Sequence, residues 1–132
     1  MGLLIEEEKI VALLKPQVLA ITTTGASADV ALLEDDSIAV LQLGSVVDVT
    51  SVTVTIEGSR TNIGGSYEVL GSFTATADDG IAAIGINLAG VNFARAVVTL
   101  VGAIISTEVP ISVSLIGKLT FEALGINSPT VS

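Results

Sequence analysis

The chain has 132 residues, the length of one ordinary domain; half are apolar, only 14% are charged, and the net charge is −9. It contains no His, no Cys and no Trp, which excludes disulfides and thiolate metal sites and removes the usual general base, transition-metal ligand and strongest common nucleophile. Its five cations, Lys9, Lys15, Arg60, Arg95 and Lys118, are scattered along the chain, whereas binding DNA or RNA needs clustered basic groups to displace counterions.

In chain order, Met1–Pro16 differs from the rest. An apolar start and the acidic run Glu6-Glu7-Glu8 lead into Ile10, Val11, Leu13 and Leu14, closed by Lys15-Pro16. Glu, Lys, Ala and Leu favour helix and proline stops one, so a short amphipathic helix or an ordered arm is expected over 1–16. Its removal should then leave the following domain folded. The acidic start is unlike a secretory signal.

From Gln17 onward the pattern turns to β. Val52, Val54 and Ile56 alternate with Thr53, Thr55 and Glu57, the period of a half-buried strand. Ile111, Val113 and Leu115 alternate in the same way with Ser112 and Ser114. Val18–Thr23, Ser37–Leu43, Tyr67–Ala77, Ile81–Leu88 and Phe93–Val101 are further strands, rich in β-branched residues. Between them lie turn signals: Gly25-Ala26-Ser27, Glu34-Asp35-Asp36, Gly58-Ser59, Asn62–Ser66 and Asp78-Asp79-Gly80. Short strands at close spacing predict an all-β, antiparallel β-sandwich of jelly-roll or immunoglobulin-like type over 17–122. Residues 123–132, with Gly125, Asn127 and Pro129, read as a C-terminal extension or a strand lent to a neighbour.

The mean hydropathy of +0.82 is more than one small core absorbs, and monomers rarely expose large apolar patches. A homo-oligomer is expected. A membrane span is not, because the longest candidate, Phe93–Ile105, falls short of about 18 apolar residues and carries Arg95, Thr99 and Gly102.

The remaining chemistry lies in the carboxylates. Glu34-Asp35-Asp36 and Asp78-Asp79-Gly80 could be corners of a calcium site, but neither has EF-hand spacing, and acidic residues favour turns and solvent in any case. A glycosidase pair needs a cleft, usually with aromatic platforms, and the aromatic residues are Tyr67, Phe73, Phe93 and Phe121 alone. The glycine-rich Asn62–Ser66 lacks the lysine of a phosphate loop and precedes a strand, so it reads as a flexible hairpin tip. No catalytic residue, cofactor or metal ligand is therefore assigned. The candidate partner-binding residues are Leu3, Leu4, Ile5, Ile10, Val11, Leu13 and Leu14, which otherwise pack within their own domain. Arg95 joins them, sharing a strand face with Phe93, Val97 and Val101, and is either paired internally or presented at an interface.

Four stretches together carry a resemblance: SVTVTIEGS over Ser51–Ser59, YEVL over Tyr67–Leu70, FARAVVTLVG over Phe93–Gly102 and ISVSLIG over Ile111–Gly117. They resemble the small β-sandwich structural proteins encoded beside capsid genes in tailed phages and prophages. There a "tvtieeS" strand precedes a variable loop, followed by "y..l..ft", "ryvRavvtv.G" and a closing "v.v.l.G". The match runs from about Thr22 to Gly117 and departs from the pattern at Asn92-Phe93-Ala94. The resemblance implies a virion protein made in the host cytoplasm and placed on the capsid exterior. It would be a decoration or cement protein, a trimer bridging subunits of the major capsid protein, with a terminal arm reaching a neighbour. A tail, neck or fibre-base subunit is the alternative within the virion. A carbohydrate- or surface-binding β-sandwich module is the alternative outside it.

Overall fold

The computed structural model describes residues 8–75 and 80–119. Leu3, Leu4, Ile5, Asp78, Asp79 and the extension 123–132 lie outside them. The elements are β1 (Glu8–Leu19), β2 (Thr23–Thr24), β3 (Ala28–Asp29), β4 (Leu33–Leu43), β5 (Ser51–Ser59), β6 (Glu68–Ala75), β7 (Ile81–Asn87), β8 (Phe93–Val101) and β9 (Val109–Leu119). One 3-10 turn, Gly64–Ser66, interrupts the β5–β6 connection.

The strands form two antiparallel sheets, ordered β1-β9-β4-β7 and β2-β8-β5-β6, with β3 also paired to β8. Taken as one interrupted strand, β2 and β3 complete three pairs nested around the β5–β6 hairpin: β4 with β7, β2/β3 with β8, and β1 with β9. This nesting, split over two facing sheets, is the jelly-roll form of the expected sandwich.

Period-two alternation builds the core. Val52, Val54 and Ile56 of β5 point inward while Thr53, Thr55 and Glu57 point out. On β8 the inward residues are Ala94, Ala96, Val98 and Leu100, and from the other sheet Leu41, Val113 and Leu115 enter the same core. The alanines of β8 leave room for Gly25, which joins β2 to β3. Its N–H donates to the Ala96 carbonyl at 2.8 Å, and an added Cβ would run into the Leu13 carbonyl oxygen of β1. The two sheets approach here, and the β2/β3 strand is broken at that glycine.

Four expectations need correcting. Residues 8–16 are neither helix nor separable arm: they belong to β1, which pairs with β9 from Glu8↔Lys118 to Leu19↔Val109. Local helix propensity yields to the ladder offered by the β9 edge, and Pro16 is tolerated because β1 is an edge strand, irregular between Leu14 and Gln17. A register shift between Ala12 and Leu14 turns two consecutive leucines inward, and Leu13 and Leu14 are only 2% and 4% exposed. Removing Met1–Pro16 would therefore open the core.

The acidic triplet Glu34-Asp35-Asp36 is not a turn but the exposed, bulged start of β4. Finally, the Asn62–Ser66 segment is ordered, not a loose tip. The Ser59 hydroxyl accepts from the Thr61 and Asn62 N–H groups at 3.1 and 3.0 Å, and the Ser66 hydroxyl donates to the Ile63 carbonyl at 2.5 Å.

Candidate functional site

The outer face of the β2-β8-β5-β6 sheet mixes apolar side chains, among them Val97 and the exposed Val69 and Val101, with polar ones that pair with each other. Side chains opposite one another in register form hydroxyl pairs, Thr53 with Thr74 at 3.1 Å and Thr55 with Ser72 at 3.3 Å. At the end of this row Arg95 of β8 stands opposite Glu57 of β5, and its Nε donates to Glu57 Oε1 at 2.8 Å. The guanidinium carbon lies 3.9 Å from the centroid of the Tyr67 ring, the geometry of a cation–π contact. The Tyr67 hydroxyl donates to Asn62 Oδ1 at 2.5 Å and is hydrogen-bonded to the Ser27 hydroxyl. Of the two readings of Arg95, this arrangement is the internally paired one. The cluster ties the β5–β6 loop to β8 and to the β2–β3 connection.

The opposite outer face, on the β1-β9-β4-β7 sheet, is different. Ile10, Ile116 and Ile38 form one row across β1, β9 and β4; Ala12, Ser114, Val40 and Ala83 form the next across all four strands. Ser112, Gln42 and Ile81 follow, and Val18 stands opposite Pro110. None of these residues is charged, and the polar row Glu8↔Lys118 marks the end of the patch. Ile10, Val18 and Ile81 are 67%, 62% and 67% exposed. Beyond the Ser112 row the face continues into a shallow, open depression of about 490 Å³, lined by Val18, Ile81 and Pro110 and also by the polar Gln17, Gln42 and Ser112. Its lining contains no charged residue.

The structure thus divides the candidates chosen from sequence. Ile10 lies on the uncharged face, Val11 packs against the core, Leu13 and Leu14 are inside it, and Arg95 is paired with Glu57 on the outer face of the other sheet. Leu13 and Leu14 are therefore unavailable to a partner, the bulge in β1 having turned both inward. Ile38, Ile116, Val18 and Ile81 were missed. A signal existed in Ser37–Leu43, where apolar residues occupy both parities, the mark of a strand covered on two faces. Among the described residues, no group of three or more acidic side chains is placed to hold a metal ion.

No protein-family model matches the sequence, and no curated protein matches it. In fold, the chain is similar to the crystal structure of the SPBc2 prophage-derived protein YomS, with a TM-score of 0.55 and 12% identity over 89% of this chain and 98% of that one. A looser overlap, at a TM-score of 0.43 and 16% identity, is found with the infectious bursal disease virus Gx strain structure. It covers 94% of this chain but 33% of that chain. The established result is the fold: an antiparallel jelly-roll sandwich with one outer face that carries the Glu57–Arg95 ion pair among polar and apolar side chains, and one whose cross-strand rows contain no charged residue between Ile10 and Pro110.

Proposed function

We propose that this is a non-enzymatic virion structural protein of a tailed phage or prophage, a decoration or cement protein that binds the major capsid protein on the capsid exterior. The observation that carries this reading is the uncharged face of the β1-β9-β4-β7 sheet. A four-stranded, largely apolar face open to water is a surface for another protein. The sequence resemblance supports the virion setting, and YomS, which shares the fold, is itself prophage-derived. The mechanism is mechanical. Added interface between capsomers opposes the outward pressure of packaged DNA, and standard interfaces of about 1,200–2,000 Å² are multiplied by the symmetry of the shell.

Copy number tests this reading. Quantitative mass spectrometry of purified particles should return about one copy, or one third of a copy, per major capsid subunit if the protein covers the lattice. A handful of copies per particle would move it to the tail, neck or fibre base, and absence from the particle would overturn the virion reading.

A further inference from the structure

A sheet edge exposes backbone hydrogen-bonding groups, and proteins ordinarily blunt it with prolines, charges, bulges or very short strands. Among the described residues, three of the four sheet edges are blunted in this way. β1 carries Pro16, Lys9, Lys15 and two register shifts. β2 and β3 are two-residue pieces, and β6 carries Glu68 and a bulge at Leu70. β7 has none of these devices. Its sequence, IAAIGIN over Ile81–Asn87, holds no proline and no charged residue, and all 7 residues pair with β4 without a shift.

The hydrogen bonds that flank this ladder show which groups of β7 are left over. The Leu43 N–H donates to the Gly80 carbonyl at 2.6 Å, and the Leu88 N–H donates to the Asp35 carbonyl at 2.7 Å. Both continue the register of the ladder, so Ala82, Ile84 and Ile86 likewise turn their N–H and C=O groups to β4. Ile81, Ala83, Gly85 and Asn87 turn theirs the other way. Among the described residues, nothing bonds to the outward backbone groups of Ile81, Ala83 and Gly85. What completes such a row is another extended strand.

We infer that β7 of one copy pairs antiparallel with β7 of a second copy about a two-fold axis at Ile84. In this register the strand is its own complement. The outward groups of Ala83 meet those of Gly85, and those of Ile81 meet those of Asn87, each pair occurring twice. On the core side Ala82 stands opposite Ile86, small against large, and Ile84 stands opposite its copy. Charge points to the same edge. A two-fold contact brings like charges together, and the chain has a net charge of −9. The other edges each carry a carboxylate, Glu8, Asp29 and Glu68, whereas β7 carries none. The contact is isologous, so it closes at a dimer. The two β1-β9-β4-β7 sheets then run on as one, and the rows that end in Ala83 and Ile81 carry the uncharged face from one copy to the other. The joint does not rest on the virion reading.

Residue-resolved hydrogen exchange by NMR on the purified full chain, at low and at high micromolar concentration, tests the pairing. The Ala83 and Gly85 amides should exchange freely in the dilute monomer and slow on the order of 10-fold or more where sedimentation shows a dimer. The Ala82, Ile84 and Ile86 amides, bonded to β4, should be slow at both concentrations. Ala83→Pro removes an outward N–H and no bond to β4, so the circular dichroism of the monomer should be unchanged. Its dimer should dissociate about tenfold more readily or worse, since each dimer loses two hydrogen bonds. A parent that stays monomeric at high micromolar concentration overturns the inference and leaves the edge to a strand of a different protein. A dimer in which the Ala83 and Gly85 amides still exchange freely overturns it too. Should Ala83→Pro fail to fold, the exchange of the parent decides alone. No capsid enters either measurement, so a failure here leaves the virion reading to the copy number.

Discussion

Glu57 and Arg95 stand directly opposite each other on β5 and β8, with Oε1 and Nε 2.8 Å apart and side chains 21% and 25% exposed. The pair is half-shielded, and the Tyr67 ring covers the guanidinium from one side. The Glu57–Arg95–Tyr67 cluster on this outer sheet face is held by interactions completed within one chain.

A double-mutant cycle on Glu57→Ala and Arg95→Ala should therefore give a coupling of about 1 kcal/mol, the upper end for a partly exposed ion pair. It should shrink in high salt. Urea denaturation of the four proteins measures it. The oligomer mass should be the same for Arg95→Ala as for the parent, and a fall in mass would return Arg95 to an interface.

The bulge in β1 makes neighbouring positions unequal. Leu13→Ala should destabilise the domain by about 2–5 kcal/mol, as deletion of a buried leucine side chain does. Ile10→Ala, three residues earlier on the open face, should change the stability of the isolated chain by no more than about 0.5 kcal/mol. Chemical denaturation at low protein concentration separates the two, and equal effects would mean that β1 does not sit in this register.

Gly25→Ala should cost about 1–3 kcal/mol by overpacking, because the new methyl group meets the Leu13 carbonyl at the place where the sheets approach. Gly85→Ala is the control, since a Cβ there meets nothing within 4 Å. Thermal melts of the two variants should differ by several degrees, and coincident melts would place Gly25 elsewhere.

Some of this was determined by the sequence alone. Alternation along Val52–Glu57 and Ile111–Leu115 specifies strands and their buried faces because side chains of an extended chain point to opposite sides in turn. The β-branched runs and glycine-rich turns specify an all-β sandwich. Composition likewise pointed to more apolar surface than one core holds.

What only the tertiary structure decided is where each strand pairs and which excess apolar residues remain outside. The Glu8–Leu19 segment has the composition of a helix and becomes a strand because β9 offers it a ladder; no local preference encodes that edge. Two adjacent leucines, Leu13 and Leu14, go inside together because of a register shift, which alternation cannot foresee. The row Ile10–Ile116–Ile38 comes from three segments far apart in the chain, brought side by side only by the nesting of the jelly roll. A surface of this kind is a property of strand order, and strand order is set by long-range pairing rather than by the residues of any one strand.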